Sequence, residues 1–358
     1  MSIPHKVYVI AEAGVNHNGN KQCAFDLIDV AADAGADAVK FQTFNAKRLA
    51  ALTAPKAAYQ QQTTEASESQ LEMLEALELP LEWHRPLQTH AHSRGVEFLS
   101  TAFDLQSLLF LETLNLPFYK IPSGEITNGP LLWQFARTGK PLVISTGMAT
   151  LAEVEQALAI VCHALAYNKP PDSLDDVWKC WSQVELRAAL HGRVSLLHCT
   201  SQYPTPMAEV NLKAMDTLAH AFQLPVGYSD HTQGTLIPVA AVARGASIIE
   251  KHFTLDKKLP GPDHRASLEP DELCRMIKEI RSISLALGDG QKAPQPSEWD
   301  TRAAARQDLV AAEMIAEGES FTASNIATAR SGKGGTAITY WDQLGKIASR
   351  QYQPGDAL

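Results

Sequence analysis

The sequence predicts a (β/α)8 TIM barrel followed by a small β-rich domain. Two observations predict the barrel. Eight short β-branched or apolar runs recur, each followed by a polar loop and an Ala/Leu-rich amphipathic segment, the alternation of a parallel sheet built from βα units. The first run also lacks the GxGxxG turn that an open doubly wound sheet normally carries there. A third observation, a change of pattern after Gly288, predicts the second domain.

The eight runs begin near Val7, Ala38, Val96, Phe118, Leu142, Val194, Val226 and Ser247. The last barrel helix is expected from about Asp271 to Leu287. Gly288, Gly290, Pro294 and Pro296 then mark a break, so the catalytic domain is read as 1–288 and the linker as 289–300. From 301 to 358 short strand-like pieces, LVAA, ESFT and ITY, alternate with turns at Gly318 and at Gly332 to Gly335. The stretch from Tyr167 to Gly192, with Pro170, Pro171, Trp178 and Trp181, is long for a connection between barrel strands and reads as an insertion.

Bulk composition restricts the function classes. A chain of 358 residues with 45% hydrophobic and 20% charged residues can bury a sizeable core. A formal charge of −9 argues against a surface that tracks nucleic-acid phosphates or anionic lipid. No run approaches the roughly 20 apolar residues that span a bilayer, the opening run lacks the marks of a leader peptide, and the five cysteines are scattered without CxxC spacing. The expectation is a reduced cytoplasmic protein without nucleic-acid or membrane partners.

In a βα barrel the active site lies at the C-terminal ends of the strands. Those positions are polar here: Glu12 and the NHNG turn, Lys40 and Gln42, Ser100, Thr101 and Asp104, then Lys120, Ser123 and Glu125. They continue with Ser145, Thr146 and Gly147, with His198, Thr200, Ser201 and Tyr203, with Ser229, Asp230 and His231, and with Glu250, Lys251 and His252. Any one could be a hydrogen-bonded core group, but eight such ends together point to a site.

Two lysines in a barrel mouth are costly to desolvate unless an anion or a carboxylate such as Glu12 or Glu125 meets them. Ser123, Ser145 and Ser229 could complete a phosphate and carboxylate cradle. His231 and His252 end adjacent strands and could share a divalent cation, for which mixed nitrogen and oxygen donors suit Mn, Co or Zn better than Ca; Mn is the first choice, with Mg or Co as alternatives. The turn-rich loop LPGPDHRASLEPDEL brings Asp263 and His264 towards them, and SGKGGT lacks the spacing of a P-loop.

Eight segments carry a resemblance: IAEAGVNHNG, DAVKFQTF, YKIPSGEITN, ISTGMAT, LLHCTSQYPTP, GYSDHT, EKHFTLD and LPGPDHRASLEPDEL. In this order they resemble the sialic acid synthase family over nearly the whole chain, and the final segment resembles that family's antifreeze-like, or SAF, domain. The resemblance implies a metal-dependent enzyme that condenses phosphoenolpyruvate with an N-acyl amino sugar and releases phosphate. It places metal ligands at His231 and His252, phosphoenolpyruvate contacts at Lys40, Lys120, Ser123, Ser145 and Ser229, and sugar contacts at Glu12, Gln42, Thr101, Glu125, Tyr203 and Asp263.

It further implies a domain-swapped homodimer in which an arginine of one antifreeze-like domain, here Arg330, reaches the partner's site. Two positions depart from the family pattern, Ser331 in place of a proline and Ser201 in place of an asparagine in some members. Glu12 and Glu125 are the candidates for moving protons, since crowded carboxylates can be tuned towards neutral pH. N-acetylmannosamine, giving N-acetylneuraminate, is the first choice of sugar, and the 2,4-diacetamido-2,4,6-trideoxy sugar of N,N'-diacetyllegionaminate the second. A pyruvate aldolase or lyase working through a Lys40 or Lys120 Schiff base and a carbohydrate-binding module are the rival classes.

Overall fold

The computed structural model describes residues 6–51, 55–56, 69–332 and 336–358. The chain divides into two compact units, Met1–Asp289 and Gly290–Leu358.

Unit one holds eight parallel strands: β1 (Tyr8–Gly14), β2 (Ala38–Thr43), β3 (Glu97–Ala102), β4 (Tyr119–Ile121), β5 (Leu142–Ser145), β6 (Val194–His198), β7 (Val226–Asp230) and β8 (Ile248–His252). Each starts within one residue of the run that predicts it. Their hydrogen-bonded order is β3-β2-β1-β8-β7-β6-β5-β4, and β3 also packs against β4, so the neighbours run round a near-closed barrel with helices outside. Residues Val9, Val39, Phe41 and Phe98 face that helical layer and join one large apolar core with Leu27, Leu87 and Ile277.

Local chemistry sets the helix ends. Thr150 caps the helix Leu151–Ala166 in a reciprocal capping box with Glu153. Pro270 occupies the first turn of Pro270–Ala286, where its missing N–H costs nothing, and Gly288 at φ +62° takes the left-handed position just beyond the last turn. The insertion folds as a cover on the barrel's outside. Its helix Leu174–Trp181 buries Val177 and Cys180 beside the helix Leu151–Ala166, and Trp181 Nε1 donates to Glu155 Oε1 at 2.9 Å.

Unit two pairs β9 (Asp308–Ala311) with β10 (Ile326–Ala329) antiparallel over a small core of Ala311, Ile315, Phe321, Ile326, Ala348 and Tyr352. LVAA lies on β9, and ESFT contributes a single bridge, Ser320 to Ile347. The expected ITY strand is instead a 3-10 turn, Ala337–Thr339, leading into the helix Tyr340–Gln343; Ile338 is 85% exposed, and among the described residues it has no sheet neighbour to fix it extended. Helix Trp299–Ala305 overruns the end of the expected linker, favoured by Asp300 in its first turn, three alanines and Arg302 stacked on Trp299 at 5.3 Å. Residues 333–335 of the expected glycine turn lie outside the described residues.

Candidate active site

Strand parity builds the site. Ile10, Ala38 and Leu99, with Tyr8, Phe118 and Ile248, point inward and plug the lower barrel as a separate apolar cluster. Side chains alternate along a strand, so the next inward positions are Glu12, Lys40, Thr101, Lys120 and Glu250. One step further come Gln42 and His252, while Ser229 of β7 pairs in register with Glu250 and Ser145 ends β5. The barrel therefore changes from apolar plug to polar mouth within two residues of each strand.

The same parity turns other strand-end residues away. Lys251 and Asp230 form an ion pair at 2.5 Å, fully buried on the outer side of β7 and β8. Ser100 and Thr43 hydrogen-bond each other at 2.6 Å, and Thr43 binds His84 Nε2 at 2.7 Å. These polar strand-end groups are structural.

The mouth is a cavity of about 460 Å3. Lys40 Nζ lies 2.7 Å from Glu12 Oε2, 3.5 Å from Glu250 Oε2 and 3.1 Å from Thr101 Oγ1. Lys120 Nζ lies 3.2 Å from Glu250 Oε1, to which Ser229 Oγ donates at 2.8 Å. The partner of Lys120 is thus Glu250, not Glu125. Glu125 accepts from Asn128 Nδ2 at 2.7 Å on the cavity wall.

The two buried carboxylates divide one role. Burial raises Glu12, Lys40 only partly offsets that and Glu250 adds to it, so its carboxyl is pushed up to about 7. Burial would raise Glu250 as well, but Lys120 and Lys40 hold it well below the ordinary carboxylate range. Of the two carboxylates, Glu12 is therefore the one able to exchange a proton near neutral pH. Burial alone would lower Lys40, yet Glu12 and Glu250 raise it. A Schiff-base lysine needs a depressed pKa, and Lys40 has the reverse.

The imidazoles are poised as neutral ligands. His231 Nδ1 donates to the Thr200 carbonyl at 2.7 Å, which leaves Nε2 with its lone pair facing the mouth and Tyr203 OH at 3.1 Å. Burial lowers His231 to about 4. The His252 ring centroid lies 5.6 Å from that of His231, and its buried Nδ1 has no hydrogen-bond partner. Burial, then His231, drives its pKa well down. Neutral nitrogens beside carboxylates fit a divalent cation. Among the described residues no cluster of three or more His, Cys, Asp or Glu is arranged to hold a metal, so two imidazoles would leave open coordination positions for substrate or water.

Ser123, Ser145, Ser201 and Asp263 also line the mouth. Ser145 Oγ is buried without a hydrogen-bond partner, as expected of a group that awaits a ligand. Gly147 N donates to Ser123 Oγ at 3.0 Å. Burial raises Asp263 to about 6, and its Oδ2 lies 4.0 Å from His252 Nδ1. The NHNG turn fixes the loop that carries it. Asn16 Nδ2 donates to the Phe253 carbonyl at 2.7 Å and Ser267 Oγ at 2.9 Å, while Asn18 Oδ1 meets His264 Nε2 at 3.1 Å.

Of the expected site residues, Thr101 reaches the mouth through Lys40 rather than lining it, and Arg330 belongs to the second unit, exposed just after β10. Glu250 had no assigned role, although its place two residues from both Ile248 and His252 on a strand gives it the inward parity.

Comparison with known proteins decides the family, because the NeuB family profile matches residues 27–292. The chain belongs to the NeuB family of sialic acid synthases. It is thereby an enzyme of the phosphoenolpyruvate-dependent, C–C bond-forming type. It is 47% identical over 353 residues to the N,N'-diacetyllegionaminic acid synthase of Campylobacter jejuni, covering 99% of both chains. It is equally identical to the enzyme of that name from Legionella pneumophila, covering 98% of this chain and 93% of the relative. The crystal structure of an N-acetylneuraminic acid synthetase from Leptospira borgpetersenii, in complex with citrate, superposes with a TM-score of 0.67 at 33% identity, over 83% of this chain and 90% of that one. Among the described residues no helix is long and apolar enough to cross a membrane.

Proposed function

We propose that this NeuB-family enzyme condenses phosphoenolpyruvate with 2,4-diacetamido-2,4,6-trideoxymannose to give N,N'-diacetyllegionaminate and phosphate. The 47% identity to two synthases of that product, over almost the full chain, carries the choice. It reverses the order expected from the sequence, in which N-acetylmannosamine came first.

Lys40 and Lys120 supply the charge for the phosphate and carboxylate of phosphoenolpyruvate, with hydroxyls from Ser123, Ser145 and Ser229. Glu12, its carboxyl raised by burial to about 7, can hold a proton beside Lys40 and pass it to a departing or developing oxygen. Gln42 Nε2 donates to Glu12 Oε1 at 3.3 Å and orients it. Glu125 is the second proton carrier; Tyr203, Ser201 and Asp263 contact the sugar.

His231 Nε2 and His252 would hold a divalent cation, with Mn ahead of Mg or Co, which supplies Lewis-acid polarisation of a carbonyl when bound. The second unit, Gly290–Leu358, would act as the antifreeze-like domain of a domain-swapped cytoplasmic homodimer, with Arg330 serving the partner's site.

The test is phosphate release from phosphoenolpyruvate with either sugar, under Mn, Mg and Co in turn. The reading expects faster release with the diacetamido-trideoxy sugar, together with a keto-acid product. Release with neither sugar under any of the metals overturns it.

A further inference from the structure

The mouth has two chemically distinct halves. Ionic and hydroxyl groups come from the strands and the loops that follow them, whereas Phe44, Leu49, Met73, Leu74, Leu77 and Phe103 give the same cavity a contiguous apolar lining. These six, with Val15, pack as an apolar cluster distinct from the main core. Most come from the connection between β2 and β3, whose helices Ala46–Leu49 and Gln70–Leu77 pack against each other. Among the described residues of this half, Gln70 is the only side chain that can hydrogen-bond.

We propose that this apolar wall selects the sugar by its deoxygenated, N-acylated end. The inference rests on the condensing activity assigned to the mouth above. The charged half meets the phosphate, the carboxylate and the reacting aldehyde, so the remainder of the sugar extends along the wall. A C6 methyl and acetamido methyls gain by leaving water against Leu74 and Met73. A C6 hydroxyl or phosphate there loses its water hydrogen bonds, and among the described residues of the wall only Gln70 can replace any of them. Apolar pockets reject an added hydroxyl by at most about 100-fold, which sets the expected scale at roughly 10- to 100-fold.

Leu74 is the residue to change, because it is half-buried at the cavity surface and outside the ionic network. The experiment measures phosphate release at saturating phosphoenolpyruvate for 2,4-diacetamido-2,4,6-trideoxymannose and for N-acetylmannosamine. It uses the full-length protein, Leu74→Gln, Leu74→Met and, should the first fail to fold, Leu49→Gln. The kcat/KM ratio of the two sugars should narrow by about tenfold in the Gln variants, stay near wild type in Leu74→Met, and change without a shift in the KM for phosphoenolpyruvate.

An unchanged ratio in a folded Gln variant overturns the wall's role and leaves the condensing activity standing. A wild type that prefers N-acetylmannosamine overturns both the wall and the sugar choice. Release with neither sugar overturns the underlying activity and this inference with it.

Discussion

Replacing Glu250 with Gln separates the electrostatics of the empty mouth from those of the filled one. Glu250 Oε1 lies 3.2 Å from Lys120 Nζ, and among the described residues no other carboxylate lies within 4.0 Å of that ammonium. Its Oε2 is 3.5 Å from Lys40, which keeps Glu12 at 2.7 Å. Removing one partner of a buried pair costs about 3–5 kcal/mol. Part of this is recovered, because Glu250 helps to keep Glu12 protonated, and Glu12 ionises more readily once that charge is gone.

A net loss of about 2–3 kcal/mol remains, or a melting temperature lower by about 5–10 °C. Phosphoenolpyruvate then meets a Lys120 that is no longer neutralised, so the ligand restores more stability in the variant than in the wild type. Differential scanning calorimetry at pH 7.5, with and without phosphoenolpyruvate, reads both effects. An unliganded variant as stable as wild type, or one with a smaller ligand-induced shift, would refute the reasoning that Glu250 neutralises Lys120 until an anion binds.

Three further perturbations probe the frame around the mouth. His84 is buried and lowered to about 4 by burial, against about 6.5 in the unfolded chain, so below pH 6.5 the unfolded state binds the extra proton and stability falls as the pH drops towards 4. Urea unfolding should show the wild type losing about 2 kcal/mol more than His84→Gln between pH 7.5 and 5; parallel profiles would argue against a neutral His84. Gly147→Ala places a Cβ 2.3 Å from Ser201 Oγ and 2.8 Å from Ser123 Oγ, so both substrates should bind more weakly, with about 1–3 kcal/mol of lost stability; wild-type KM values would show that the cradle tolerates the methyl. Asn16→Ala frees the loop that carries Asp263, and steady-state kinetics should show a lower kcat/KM for the sugar with an unchanged KM for phosphoenolpyruvate; equal loss for both substrates would assign Asn16 a general folding role.

The barrel was legible because each strand announces itself locally. Val7 to Ile10 or Leu196 to Leu197 are apolar whichever neighbours they acquire, and polar residues appear within the last few positions of each strand, Glu12 in β1 and His198 in β6. The second unit was less so. Its β10, IATA, has no strong alternation, and among the described residues its ITY run lacks the sheet neighbour that β-propensity presupposes. The small core of that unit is assembled from scattered bridges, which local pattern does not encode.

The mouth was half legible, and the division follows from parity and closure. Reading outward from each apolar run found Lys40, Lys120, His231 and His252, but it could not say that Lys251 and Asp230, one residue out of phase, neutralise each other behind the sheet. Nor could it pair Lys120 with Glu250, since β4 and β8 are far apart in strand order and meet only across the barrel axis. Counting parity from the plug residue Ile248 repairs the first omission. The second requires the closed ring, because only a barrel brings inward side chains from non-adjacent strands within ion-pair distance. A carboxylate buried there, with Lys40 and Lys120 against it, offsets part of their charge, so an anion entering the mouth would exchange its own charge for that of Glu250 rather than meet bare cations.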